Sequence, residues 1–257
     1  MQRRSFFSLY ALPALVFAVL LLAWDLTVHL TGSSLFPTPL QVLMGTIELV
    51  QSGVLAKYIV ASLFRVTWGF AIAVLIGVPV GLVVGWYSWA HHALNPLIQI
   101  LRPISPIAWI PIAILLFGVQ DTAPIFIILL ASVFPIIVST AAGVKQIESK
   151  YLRAATNFEL SHWQLMRSVV IPGTLPHIVT GMRIALGVAW LVVVAAEMIA
   201  VNSGLGYLII DARNAGKRYD LVVAGMILIG LIGFGLDQLL KRIERLKALE
   251  WGYSHDH

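Results

Sequence analysis

The sequence predicts an all-α integral membrane protein, a six-helix bundle with both termini on the cytoplasmic side. Three observations carry that prediction. Of 257 residues, 59% are hydrophobic and 11% charged, against about 25% charged in a typical soluble domain. So little polar surface cannot cover a core in water. Six segments reach the ~20 apolar residues that a bilayer crossing needs, and the basic residues fall unequally between them. The net charge of +5 is not gathered on a soluble face as nucleic-acid binding requires, so the partner surface is a lipid bilayer and not nucleic acid. The chain has no cysteine, which excludes disulfides, thiolate nucleophiles and cysteine metal sites.

The first span runs from Leu9 to Leu30 after Arg3 and Arg4. It is too long for a cleaved signal and lacks a small-residue cleavage site, so residues 1–34 read as a retained anchor. From Leu35 to Arg65 the pattern is not that of a span. Thr38 and Pro39 supply a helix cap and first position, and Leu40, Leu43, Met44 and Ile47 then recur at helical spacing, as in an amphipathic helix at the interface. The second span is Val66–Trp89, with a small-residue ridge at Gly77, Gly81 and Gly85 and Trp68, Trp86, Tyr87 and Trp89 at its ends. The third, Leu94–Val119, holds Pro96, Pro103, Pro106 and Pro111. Backbone broken in this way is tolerated at membrane depth only beside protein or a water-filled cavity. The fourth, fifth and sixth spans are Ala123–Gly143, Ile178–Val201 and Leu221–Leu240. A core domain of residues 35–240 and a basic tail of 241–257 complete the chain.

With the amino terminus inside, the cytoplasmic face receives Arg3, Arg4, Lys145, Lys150, Arg153, Arg167, Lys241, Arg242, Arg245 and Lys247. The outer face receives Lys57, Arg65, Arg213, Lys217 and Arg218. The bias follows the positive-inside rule.

The stretch 145–177 lies between two spans on the cytoplasmic side. It has room for two short helices with a break near Leu160 and Ser161, where Ser161 caps the second. Phe158, Leu160, Trp163, Leu165 and Met166 find no lipid there if the loop projects, and a partner protein would bury them. A helix lying on the membrane surface fits the same pattern.

This stretch resembles the cytoplasmic loop of binding-protein-dependent ABC importer permeases. Ala154 and Ala155 match its paired alanines, and Ser161, Trp163, Gln164, Val169, Val170, Pro172 and Pro176 fit its frame. Arg153 stands where a Glu is usual. Glu159 stands where a Gly is usual, and a positive φ there would strain it. Further segments are similar to the nitrate, sulfonate, taurine and bicarbonate branch: Leu101–Ile112 with Leu116, Phe117 and Gly118; Gly181 to Arg183; Ala189 with Trp190; Ala195 to Glu197; and Asn202–Tyr207. The resemblance spans about residues 35–240. It implies the type I ABC importer transmembrane fold and a second permease copy, most simply in a homodimer. It also implies two ABC ATPase subunits that bind ATP and Mg²⁺, a periplasmic or lipid-anchored substrate-binding protein, and a bacterial cytoplasmic (inner) membrane. No cofactor is expected in this chain, and no phosphate-cradling Gly-x-x-x-x-Gly-Lys loop is present, so this chain is not itself an enzyme. The coupling helix falls at about Arg153–Met166, with Ala154, Ala155, Phe158, Glu159, Leu160, Ser161, His162 and Trp163 in the contact.

For the substrate pathway, Arg102, Ser105 and Trp109 lie in the proline-broken span, where an Arg fork and a hydroxyl would suit an anion. Arg102 snorkelling to the interface is the plainer alternative. Glu197 near the end of the fifth span reads either as a gate or as a structural acceptor for the loop at Asn202. Asp237 and Lys241 are four positions apart and balance each other. Neither His91 with His92 nor His255 with His257 has a third structured ligand, so no metal site is expected. A secondary transporter or channel would show an inverted repeat or paired intramembrane charges. An intramembrane enzyme would need a metal motif, and a non-transporting scaffold would have little use for a broken span.

Overall fold

A computed structural model describes residues 11–32 and 36–244. Its helices are α1 (Leu12–Thr31), α2 (Pro39–Gln51), α3 (Val54–Trp86), α4 (Ser88–Leu101), α5 (Ile110–Phe117), α6 (Thr122–Lys145), α7 (Ser149–Asn157), α8 (His162–Leu165), α9 (Ile171–Ala200), α10 (Leu205–Gly216) and α11 (Tyr219–Glu244). A 3₁₀ turn, Pro106–Trp109, precedes α5. A π turn, Met166–Val170, joins α8 to α9 in one helix from His162 to Ala200. That widened turn sits directly before Pro172, which has no N–H to give the carbonyl of Ser168. Leu9, Arg3, Arg4 and the tail from Arg245, with His255 and His257, lie outside the described residues.

The core is built on a close approach of α3 to α6. Gly69, Ala73, Gly77, Gly81 and Gly85 recur every fourth residue along α3. A Cβ on Gly69 would stand 2.6 Å from the Ile128 side chain, and one on Gly81 2.6 Å from that of Thr140. Gly77 meets Ile136 and Gly85 meets Val144 in the same way. Only small residues allow two backbones this near. The pairs 69–128, 77–136, 81–140 and 85–144 keep one offset, so α3 and α6 run parallel. The opposite flank of α6 receives α9 antiparallel, Gly143 against His177 and Gly181 against Ser139. Then α11 lies antiparallel on α9, where Trp190 Nε1 donates to the Ile229 carbonyl at 3.0 Å and Arg183 pairs with Asp237 at 3.0 Å. Asp237 also pairs with Lys241 at 2.7 Å.

Parallel α3 and α6 decide the count of spans. The chain between them must return across the bilayer, and α4 with the segment Pro106–Phe117 does so, bent by 85°. Its start lies beside the last turn of α6, His91 against Lys145. Its far end reaches the opposite rim, where Asp121 pairs with Arg65. A re-entrant loop would have brought both ends to one side. The broken pair is therefore one span, and the bundle has six among the described residues. Its two rims are called below the α7 end and the α10 end.

Three expected boundaries are corrected. The second span begins at Val54 rather than Val66, because Arg65 is paired inside the bundle with Glu197 of α9 and with Asp121, while Lys57 stays exposed on the helix surface. Arg65 is thus no exposed loop charge. The segment Asn202–Asp220 is not all loop but holds α10. The third span does not continue as a helix through Ser105, since α4 stops at Leu101. Pro103 removes a donor, and Ser105, directly before Pro106, is extended at ψ 128, as the proline ring requires. By contrast Thr38 caps α2 as read, in a complete capping box with Gln41.

Candidate functional site

The α7 end carries the loop. Helix α7 turns Ala155 inward and leaves Arg153 and Ala154 outside. It ends in a Schellman motif: Glu159 N–H donates to the Thr156 carbonyl and Leu160 N–H to the Ala155 carbonyl. That motif places its penultimate residue in the left-handed region, and Glu159 has φ 53. The glycine usual at this position has a physical reason here, and Glu159 takes the same conformation at some strain. Ser161 then starts α8 in a capping box, accepting from Gln164 N–H while Gln164 Oε1 accepts from Ser161 N–H at 2.9 Å. The turn pushes Phe158 (80% exposed) and Trp163 (71% exposed) outward, while Leu160 and Met166 are half-buried. His162 folds back on the bundle, 2.8 Å from the Tyr87 hydroxyl. The Arg153–Met166 segment is thus two helical pieces around a sharp corner, not one helix.

In the broken span, Arg102 closes α4, with its N–H on the Ile98 carbonyl. Arg102 and Ser105 are exposed at the bend and Trp109 is half-buried in the 3₁₀ turn. Ser105 and Trp109 do not follow Arg102 along one helix face.

At the α10 end Glu197 is fully buried, and Arg65 is 1% exposed. Arg65 Nη1 donates to Glu197 Oε1 at 2.6 Å and to the Ser203 carbonyl at 2.8 Å. Its Nε and Nη2 donate to Asp121 Oδ1 at 2.9 and 2.7 Å, and Nη2 also reaches Ser203 Oγ. All five guanidinium N–H groups are used. Glu197 Oε2 accepts from Ser62 Oγ and from Gly206 N–H, both at 2.9 Å. Gly204, at φ 105, and Gly206 pack against Glu197 and the α9 backbone with no room for a Cβ. The segment Asn202–Tyr207 is therefore a clamp on one carboxylate. One buried cation holds α3, α9, the α5–α6 turn and the loop before α10 together. A cavity of about 380 Å³ beside it is lined by Gln120, Asp121, Thr122, Asn202 and Ser203.

Glu197 accepts not at Asn202 but from Gly206 N–H in the first turn of α10. Arg65, Asp121 and Ser62 were missed as its companions. The available signal was a charged residue within an apolar run, which Arg65 shows once the run is read from Val54. Among the described residues no cluster of His, Asp or Glu could hold a metal.

A family model described as "binding-protein-dependent transport system inner membrane component" matches residues 73–248. The chain is 35% identical over 243 residues to the nitrate import permease protein NrtB of Synechocystis sp., covering 91% of this chain and 88% of the relative. It is 36% identical to the taurine transport system permease protein TauC of Escherichia coli, covering 89% and 85%. Among solved structures, an inward-facing MetNI methionine ABC transporter superposes with TM-score 0.60 at 19% identity, covering 75% of this chain and 97% of that one. An amino acid ABC transporter solved with histidines also gives 0.60, at 16% identity and 77% and 97% coverage. The chain belongs to the family of binding-protein-dependent transport system inner membrane components, and is a multi-pass ABC importer permease whose ATPase is a separate subunit.

Proposed function

We propose that this permease forms half of the pathway by which an ATP-driven importer carries a small anion, of the nitrate, taurine, sulfonate or bicarbonate class, across a bacterial cytoplasmic membrane. A second copy of the chain supplies the other half. Two ATPase subunits, holding ATP and Mg²⁺, dock at the α7 end, and a substrate-binding protein delivers to the α10 end. The observation that carries this reading is the corner at Glu159. It presents two large apolar side chains, Phe158 and Trp163, on the rim that also carries Lys145, Lys150, Arg153 and Arg167, a basic bias that supports a cytoplasmic side by the positive-inside rule. A cleft in a partner protein suits such a corner, because exposed aromatics gain most from burial. The anion class is supported by the names of the relatives and by Arg102, which has no carboxylate partner among the described residues and stands beside the exposed Ser105 at the bend.

The test is co-purification with the neighbouring ATPase and binding protein, followed by ATP hydrolysis in lipid against nitrate, bicarbonate, taurine and other sulfonates. Stimulation by one loaded binding protein identifies the substrate. If no ATPase binds, the reading of the α7 end as the ATPase dock falls.

A further inference from the structure

Tyr87 is the single residue between α3 and α4. Its N–H closes α3 on the Val83 carbonyl and its carbonyl accepts the first turn of α4 from His91 N–H. Its backbone is extended, φ −96 and ψ 121. It is the elbow from which the broken span departs. The Tyr87 hydroxyl lies 2.8 Å from Nε2 of His162, the first residue of α8. The His162 ring also packs against two aromatic rings of this elbow, Trp86 at 6.2 Å and Tyr87 at 6.1 Å between centroids. His162 is fixed from its other side by the Ser161 capping box and stands three residues from the strained Glu159.

We propose that Tyr87 is a positioning residue of the transport cycle, whose hydroxyl, held by His162, passes displacement of the loop to α4 and so to the bend at Arg102. The inference rests on the reading that the α7 loop docks the ATPase. The geometry favours this route because His162 touches both aromatic residues of the elbow, whereas the apolar tips of the loop, Phe158 and Trp163, point away from the bundle. One residue of extended chain between two helices turns a small shift at the phenol into a rotation of α4 about α3. A purely anchoring role for the aromatics at this rim would need the rings but not the hydroxyl.

The native chain has no cysteine, so Ile104→Cys gives this chain one thiol, at the exposed bend, and its labelling is read on the separated permease band. The complex of this chain with its ATPase, in lipid nanodiscs, is labelled with a maleimide without nucleotide and with ATP plus vanadate. The labelling rate of the parent protein changes with nucleotide. Tyr87→Phe shrinks that change by about three- to tenfold, the range one net hydrogen bond spans, while the ATPase stays bound. Tyr58→Phe, a hydroxyl removed from the other end of α3, leaves the change intact. A change that survives Tyr87→Phe, or a parent protein whose bend does not respond to nucleotide, overturns the linkage. Failure of the ATPase to co-purify with the parent overturns the docking reading as well, and so is told apart from failure of the link alone.

Discussion

Removing Glu197 tests the buried network at the α10 end. Glu197→Ala takes three acceptor contacts away at once: those of Arg65 Nη1, Ser62 Oγ and Gly206 N–H. The guanidinium is left almost wholly out of water with its remaining carboxylate, Asp121, 57% exposed. Breaking a buried ion pair from one side costs about 3–5 kcal/mol, because the other charge stays buried without its partner. Removing Asp121 is a different perturbation. Glu197 still neutralises Arg65 at 2.6 Å, and a half-exposed partner contributes about 1 kcal/mol or less. At about 2–4 °C per kcal/mol for a domain of this size, Glu197→Ala lowers the midpoint of thermal unfolding by about 6–20 °C. On the same scale Asp121→Ala lowers it by about 4 °C or less. The assay is tryptophan-fluorescence unfolding of the detergent-purified chain, which carries 8 Trp. Equal shifts for the two variants, or a Glu197→Ala shift within the Asp121→Ala range, would refute the claim that burial sets the hierarchy of this network.

Gly81→Ala drives a Cβ into Thr140 and the Ile137 carbonyl and destabilises by about 1–3 kcal/mol through overpacking. Gly187→Ala, with nothing within 4 Å of the new carbon, stabilises by about 0.5–1 kcal/mol; the pair is read in the same unfolding assay. Glu159→Gly relieves the left-handed strain and raises stability by about 0.5–1 kcal/mol after the added freedom of the unfolded chain is subtracted, without loss of ATPase binding. Phe158→Ala with Trp163→Ala abolishes ATPase co-purification while the unfolding midpoint stays within about 4 °C, since both side chains are exposed and surface changes fall within about ±0.5 kcal/mol each. The Arg218 hydrogen bond and then its charge hold the Glu48 carboxyl below the ordinary value of 4.5. Its tie from α2 to the start of α11 is therefore fully present above that value and lost as pH falls through the depressed one. Between pH 7 and 3 the midpoint of Glu48→Gln falls less than that of the parent.

The spans were legible because a bilayer demands a long apolar run, a signal no loop imitates. The Gly77, Gly81 and Gly85 ridge was legible for the same kind of reason: it is local and periodic. Ser161 was readable as a cap, and Glu159 betrayed the turn by standing where a glycine belongs. What stayed hidden was pairing at distance. Arg65 and Glu197 are 132 positions apart, and no periodicity links them. Arg65 taken alone reads as a loop cation, which is why the start of α3 was set a dozen residues late. The function of Asn202–Tyr207 was hidden likewise. Its glycines are needed for the space that Glu197 occupies, and Gly204 also for its φ of 105, neither of which the local sequence announces.

The two rims are built on opposite principles, and this bears on how force could pass through the bundle. At the α10 end Arg65, Glu197 and Ser62 are buried and partnered, and Gly204 and Gly206 leave no free volume around Glu197. At the α7 end the polar contacts are open to water: the Tyr87 phenol on the His162 imidazole, Lys145 beside His91, and the exposed pair of Glu148 with Lys150. Interiors packed without voids transmit displacement rather than absorb it. A push entering at the α7 end therefore meets a fixed point at the α10 end, where Asp121 tethers the far end of the broken span to α3. With the span tethered at Asp121, the linkage proposed at Tyr87 would act on the proline bend between them, where Arg102 and Ser105 stand.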